Sequence, residues 1–327
     1  MGHLAAVRQR LATALNIHGS LSPKPMSSYL SIIIINYHTA DVILECLEAI
    51  QKADWPPSSA LSPHIEIILI DNASKDISLE QIKDWLEQKS NLTPLKTFKL
   101  IENEQNLGFP KACNQGLKEA QGDYILFLNP DSILNPENLC QLYDITLSYP
   151  NTAMFGPYIY NEDGSEQAGA RRLLPTPERL WPQILGLPRI SKRFRAMNLH
   201  QEALPAEVAS PVEAISGSCM LLKRDKLLAL GAWDERYFMH WEDLDLCMRL
   251  NQAGEEILFL KDVRVLHYKS VSSRSIPLKV LWHKHLSMIH FYQKFFSHYA
   301  LPLRFGLYGL IYIRFLLFAT KELIFKN

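Results

Sequence analysis

The chain has 327 residues, enough to bury a full α/β core with an appendage. Its 34 Lys and Arg balance 34 Asp and Glu, so no net charge draws it to nucleic acid, and no nucleic-acid partner is expected. Its five cysteines, Cys46, Cys113, Cys140, Cys219 and Cys247, are scattered and form no Cys-x-x-Cys pair, which argues against a disulfide framework or a structural zinc and for a reducing cytoplasm.

Residues 1–29 read as an N-terminal extension. A short helix over Met1 to Asn16 carries Arg8 and Arg10 with no uninterrupted apolar stretch after them, so it is not a signal peptide. A loose Ser- and Pro-rich linker from Ile17 to Ser28 follows, and no function is assigned to either.

Leu30 to Ile35 is a short β-branched run that reads as a strand buried on both faces, ended by Asn36-Tyr37-His38-Thr39. Ala40 to Ala53 has helical apolar spacing, and Pro56-Pro57 breaks it. Ile65 to Ile70 is the second strand, stopped by Asp71-Asn72-Ala73-Ser74. A helix from Leu79 to Gln88, a strand from Phe98 to Glu102, a helix from Lys111 to Ala120 opened by Asn106-Leu107-Gly108-Phe109-Pro110, and a strand ending at Asn129 complete a β-α-β-α-β-α-β pattern. That pattern predicts a doubly wound sheet, whose ligands bind beyond the carboxyl ends of the strands. Tyr37, Asp71, Asn106 and Asp131 all fall there.

Asn135 to Ser148 reads as a helix, and Ala153 to Pro157 and Ile159-Tyr160 as short strands. Ser165 to Ser210 is irregular and Arg-rich. A strand over Ile215 to Leu222, a short helix over Arg224 to Leu230, a helix over Glu242 to Ala253, and strands over Glu256 to Leu260 and Arg264 to His267 follow. Glu242-Asp243-Leu244-Asp245 is an acidic cluster among aromatic and apolar residues, where a carboxylate needs a partner or a task.

These motifs stand in a particular order: Ser31 to Tyr37, Ile70 to Ser74, Asn106 to Phe109, Asn114-Gln115-Gly116, Leu128-Asn129-Pro130-Asp131, Ser216-Gly217-Ser218 and Glu242 to Leu246. In this the chain resembles the family 2 glycosyltransferases of GT-A fold, and among them the rhamnosyltransferase-like enzymes of cell-surface polysaccharide synthesis. The resemblance covers roughly Leu30 to Ser273. It implies an α/β fold, a doubly wound mixed sheet with a C-terminal helical appendage, divided into a catalytic domain over 30–273 and a helical segment over 274–327.

It also implies roles. Asp131 matches the last position of the family's Asp-x-Asp metal motif, with Asn129 in place of the first acid, and His267 matches the metal-binding histidine. That oxygen-plus-imidazole set suits Mn²⁺ or Mg²⁺. Asp243 matches the base of an inverting transfer, with Glu242 placed to orient the acceptor, and Asp245 charges the first helical turn. Tyr37, Asp71, Asn106, Gly108, Lys111, Asn129 and Gly217 match the donor-binding positions, Asp71 reading the nucleobase edge. Arg171 and Arg172 are available to steady a diphosphate or an anionic acceptor lipid. The expected partners are a nucleotide-diphospho-sugar donor, with dTDP-L-rhamnose preferred over UDP-galactofuranose, UDP-glucose or a UDP-N-acetyl sugar, and a glycan or polyprenyl-linked glycan acceptor. Two further readings compete. A nucleotidyltransferase lacks its Gly-rich, basic loop after Ile35. A non-catalytic glycan-binding subunit would not need intact Asp131, Asp243 and His267.

The tail from Ile276 is rich in aromatics and histidines. Leu303 to Phe325 is apolar but interrupted by Arg314 and flanked by Arg304, Lys321 and Lys326. Its uninterrupted runs fall short of the ~18 residues of a transmembrane span, which predicts an interfacial helix pair at the inner face of the cytoplasmic membrane. Core packing or a homodimer helix is the competing reading.

Overall fold

The computed structural model describes residues 29–52, 56, 61, 65–88, 95–184, 197–268 and 278–325. The expected N-terminal helix and linker lie outside them, apart from Tyr29.

Four strands, β1 (Leu30–Asn36), β2 (Ile65–Asp71), β3 (Leu95–Glu102) and β4 (Tyr124–Leu128), alternate with helices α1 (Ile43–Gln51), α2 (Ser78–Gln88) and α3 (Phe109–Glu119). They pair in parallel in the order β3-β2-β1-β4. Alternate residues of β1 enter opposite cores. Ile32 and Ile34 join α1, α2 and α4 (Pro136–Ser148) on one face, while Ile33 and Ile35 join α3 on the other. Because both faces are covered, the strand needs apolar residues at every position, which explains the unbroken Ile run. Each such side chain contributes roughly 1.5–3 kcal/mol on burial.

Beyond β4 the sheet becomes mixed. β10 (Cys219–Lys223) runs antiparallel to β4 and to β6 (Met154–Tyr160). β11 (Ile257–His267) runs parallel to β6 and antiparallel to β5 (Ser132–Ile133), and β8 (Ala209–Pro211) adds to its outer side. The sequence reads two strands in 256–267. The structure has one, with its register against β6 shifting between Leu260 and Arg264. The strand expected over 215–222 is instead split into β9 (Ala214–Ile215), which pairs with β7 (Arg171–Arg172), and β10, with Ser216-Gly217-Ser218 as the break. This topology puts the ends of β1, β2, β4 and β11 and the start of β10 on one edge.

Helices α5 (Pro177–Ile184) and α6 (Arg224–Ala229) are peripheral, whereas α7 (Glu242–Gln252) packs beside α3. Two C-terminal helices, α8 (Leu278–Phe295) and α9 (Leu301–Phe325), follow. Met288, Phe291 and Tyr292 of α8 and Leu307 and Ile311 of α9 enter the same core as α3 and α7. The opposite side of α9 exposes Phe305, Tyr312, Ile313, Leu316, Leu317 and Phe318. Where the sequence breaks this segment into short apolar runs, the structure has one continuous helix. Its Leu301–Glu322 portion, 22 residues of mean hydropathy 1.5 and 11% buried, is long and apolar enough to cross a membrane. All five cysteines are buried free thiols.

Candidate active site

The loop after β4 carries Asp131, which is buried, and the end of β11 carries His267. They are neighbours because β5 pairs with β11, Ser132 opposite His267. His267 Nε2 lies 3.1 Å from Asp131 Oδ1, yet Asp131 Oδ1 accepts no hydrogen bond. The reason lies on the other side of the ring, where Nδ1 meets Gln167 Oε1 at 2.6 Å. The Gln167 amide nitrogen already donates to Asn161 Oδ1 (3.1 Å) and to the His267 carbonyl (3.2 Å). Its oxygen is therefore the acceptor and Nδ1–H the donor. In the neutral ring the Nε2 lone pair is then left facing a carboxylate lone pair.

Two lone pairs opposed at this distance fit a shared cation. At metal–ligand lengths of about 2.1 Å, adjacent corners of an octahedron are roughly 3.0 Å apart. No cluster of three or more His, Cys, Asp or Glu suited to a metal occurs among the described residues. Asp131 and His267 would therefore hold a cation only together with oxygens from a ligand or water, which is the habit of Mg²⁺ and Mn²⁺ on diphosphates.

The third residue joins through the break between β9 and β10. Asn129 N donates to Ser218 O (2.9 Å), and Ser132 Oγ to the same oxygen (3.3 Å). Next to Ser218, Gly217 N donates to Asp243 Oδ2 at 3.3 Å. A Cβ on Gly217 would come to 3.2 Å of the Asp243 Cβ, so the glycine permits the approach. Asp243 Oδ2 is also held by the Arg172 guanidinium, while among the described residues Oδ1 accepts only from Leu244 N, at 2.8 Å. One lone pair of Oδ1 stays free on a side chain 15% exposed. Asp131, His267 and Asp243 thus stand along one continuous strip of backbone at the sheet edge.

Glu242 has Oε2 without a partner among the described residues. Burial and the adjacent Asp243 charge push its carboxyl up to about 8, so it is largely protonated at neutral pH. The loop that delivers both acids is strained, with His240 and Trp241 at φ of 64° and 71°. Consecutive left-handed non-glycine residues cost on the order of 1–2 kcal/mol each and persist only where neighbours enforce them. Here Trp241 packs on Phe291 and Tyr292 of α8, and Ser287 Oγ donates to Met239 O at 3.0 Å.

The remaining sequence-derived positions divide by environment. Tyr37 (42% exposed) and Lys111 are open to solvent. Asp71 is buried, its Oδ1 accepting from Asn36 Nδ2 (2.6 Å) and Oδ2 from Ser74 N (3.0 Å), so it also holds the turn after β2. Asn106 Oδ1 accepts from Gly108 N (2.8 Å) and from Asn72 Nδ2 (3.0 Å). Gly108, at φ 85°, packs so closely that a Cβ would meet Phe238 O at 2.7 Å. This loop is therefore built to shape and latched to the 238–241 loop by Phe109 N donating to Phe238 O (2.9 Å).

Arg171 is a correction. It is buried against Glu166 (2.8 Å) and the carbonyls of Glu202 and Ala203, where it can reach neither a diphosphate nor a lipid. Asp245 does more than charge a helix turn. Fully buried, it accepts from Arg249 Nε (2.6 Å), Lys294 Nζ (2.5 Å) and Tyr237 OH (3.2 Å). Sequence reasoning missed Gln167, which lies in an irregular stretch with no period. It also missed Asn72, which reads as part of a turn, and Lys294, one of three lysines in an aromatic helix.

The chain is 28% identical over 302 residues to N-acetylglucosaminyl-diphospho-decaprenol L-rhamnosyltransferase of Mycobacterium tuberculosis (strain CDC 1551 / Oshkosh), covering 88% of this chain and 92% of that one. It is 25% identical over 254 residues to rhamnosyltransferase WbbL of Escherichia coli (strain K12), covering 77% and 88%. Among solved structures it superposes on the Pyrobaculum calidifontis mannosyltransferase PcManGT in complex with GDP-Man and Mn²⁺, with TM-score 0.55 and 16% identity over 94% of this chain and 77% of that one. It also superposes on S. aureus TarS 1-349 in complex with UDP-GlcNAc, with TM-score 0.53 and 18% identity over 81% and 66%. Both show the fold, a GT-A glycosyltransferase fold. The family model described as glycosyl transferase family 2 matches residues 31–229, more than half of the chain, and the chain belongs to that family.

Proposed function

We propose that this glycosyltransferase moves L-rhamnose, with inversion, from dTDP-L-rhamnose to a lipid-linked glycan during cell-surface polysaccharide synthesis. The observation that carries the reading is the strip from Asp131 and His267 through Ser216-Gly217-Ser218 to Asp243. It sets the opposed lone pairs of Asp131 and His267 and a carboxylate with a free lone pair at the same sheet edge. The names of the M. tuberculosis and E. coli relatives support the sugar, and the former supports a diphospholipid acceptor.

Asp243 Oδ1 takes the proton of the acceptor hydroxyl as that oxygen bonds to the anomeric carbon. The bond from that carbon to the diphosphate oxygen breaks, and the nucleoside diphosphate leaves on the opposite face. A single basic carboxylate suffices, unlike the acid–base pair of an inverting hydrolase. Arg172 and Gly217 N occupy Oδ2 and fix the direction of Oδ1. Glu242, protonated, donates to an acceptor oxygen and orients the sugar. A divalent cation on Asp131 and His267 would neutralise charge developing on the leaving diphosphate. Tyr37 and Asp71 receive the nucleobase, and Lys111 the diphosphate.

The exposed apolar side of α9 rests on the cytoplasmic membrane surface. Arg314 lies within the 22-residue apolar portion. A charge at the bilayer centre costs about 2.5–3.5 kcal/mol, which favours lying in the interface over crossing.

A thermal-shift screen of nucleotide sugars with and without Mn²⁺ tests the reading. dTDP-L-rhamnose with Mn²⁺ is expected to raise Tm most, and Asp131→Ala to abolish the Mn²⁺-dependent part. A larger shift with UDP-galactofuranose or UDP-glucose would replace the donor, and equal shifts without metal would remove the cation from the site.

A further inference from the structure

The C-terminal helices carry a charge asymmetry the catalytic edge does not use. Across α8 and α9 the sequence has six Lys and Arg, with no Asp or Glu before Glu322 near the end of α9, in a chain of zero net charge. Most proteins intersperse the signs, and a one-signed run beside a catalytic loop marks an anionic partner.

Two of these cations, Lys284 and Arg314, are partly buried without a carboxylate. Among the described residues Lys284 has no hydrogen bond or ion pair, and Arg314 has no carboxylate, only the Phe318 ring, 5.5 Å from its guanidinium carbon, and Tyr292 within electrostatic reach. Their placement follows from the contacts around them. Lys284 shares a face of α8 with Ser287, three residues on, which bonds Met239 O, and with Phe291, two turns on, which packs on Trp241. Its preceding residue, His283, stacks on Phe238 at 4.3 Å. Lys284 therefore looks toward the Phe238–Trp241 loop. Phe315, beside Arg314, packs on His285 and Trp282, bringing that turn of α9 against the same turn of α8. His240, the left-handed residue three before Asp243, lies within electrostatic reach of both Lys284 and Asp243. Burial and the nearby Arg314 hold the Lys284 ammonium below its ordinary range, the expected state of a cation lacking its anion. Alongside lies the exposed apolar side of α9.

We infer that Lys284 and Arg314 form a subsite for the diphosphate of the lipid-linked acceptor, in the angle between α8 and α9 beside the Phe238–Trp241 loop. The inference rests on the proposed lipid-linked acceptor. The isoprenoid chain lies along the apolar side of α9, the diphosphate on the two cations, and the sugar beyond it reaches Asp243.

The test is vesicle flotation of the full chain on three compositions. These are phosphatidylcholine alone, phosphatidylcholine with polyprenyl diphosphate, and phosphatidylcholine with phosphatidylglycerol at matched charge. The parent is expected to bind diphosphate vesicles roughly 10- to 30-fold more tightly than phosphatidylcholine, the increment of two well-placed cations. It should gain less from phosphatidylglycerol. Lys284→Gln with Arg314→Gln removes the diphosphate increment but keeps binding to phosphatidylcholine and the donor-dependent Tm shift, which also reports folding. Lys284→Arg restores part of it. An unchanged increment in the double variant, or an equal one from phosphatidylglycerol, overturns the subsite. No sugar donor enters the flotation assay, so an error in the donor sugar leaves this result standing, and loss of the Tm shift in the parent marks failure of the transferase reading instead.

Discussion

Glu242→Gln isolates the charge of one carboxyl at constant shape. An ordinary glutamate titrates at 4.5, and Glu242 is pushed up to about 8 by burial first and by Asp243 second. Because the folded protein holds this proton more tightly than the unfolded chain, the contribution to stability is complete below pH 4.5. It is lost as pH rises through about 8. Each pH unit in that window costs about 1.4 kcal/mol, a ceiling of about 5 kcal/mol. Relaxation around a partly accessible side chain reduces this to roughly 2–3 kcal/mol. The amide carries no charge and suffers no such loss. Urea unfolding at pH 5, 6, 7 and 8 should therefore show the parent losing ground to the variant steadily, with near-equality at pH 5 and the variant ahead at pH 8. Parallel curves across the series would show that Glu242 is ionised or solvated throughout, and the neutral hydrogen-bond donor proposed for acceptor orientation would be withdrawn.

Asp243→Asn should lower transfer by about 10²- to 10⁴-fold while the Mn²⁺-dependent Tm shift with donor survives; unchanged turnover removes Asp243 as the base. Gln167→Ala frees the His267 ring to rotate or change tautomer, and Mn²⁺ affinity measured by donor-dependent Tm shift should fall about 10- to 100-fold. An unaffected titration would mean that the ring is oriented without Gln167. Lys294→Met strips one cation from the fully buried Asp245 and should cost about 3 kcal/mol in urea unfolding; a loss under about 1 kcal/mol would show that Arg249 suffices alone.

The parallel half of the sheet was legible because its physics is local. The middle of a strand covered on both faces is an uninterrupted apolar run, as Ile32 to Ile35 of β1 and Ile67 to Ile70 of β2 show. Asp131, His267 and Asp243 are singled out by the order of motifs, since nothing local distinguishes Asp131 from a turn residue. The support around them was not legible. Gln167 reaches His267 across 100 positions of sequence, and Arg172 reaches Asp243 across 71. Pairings of that span follow from how strands register in three dimensions. The break at Gly217 shows the same limit. Eight apolar and small residues read as one strand, and the interruption seats the Asp243 carboxylate against the Gly217 backbone.

The C-terminal helices were read as an appendage, and their chemistry argues for a second task. Phe291 and Tyr292 fill the core under Trp241, and Lys294 ties α8 to Asp234 (2.8 Å) and to Asp245 in the helix that begins with Glu242 and Asp243. Two left-handed residues in succession need such enforcement, because each would otherwise relax toward the right-handed region. The helix that braces the strained loop also presents Lys284 to it, and its partner α9 offers the apolar side. A membrane lying on α9 would therefore sit one helix away from the Asp243 carboxylate proposed as the base. On the proposed reading, the base lies close to the surface where a lipid-borne hydroxyl would arrive, without requiring the lipid to leave the bilayer.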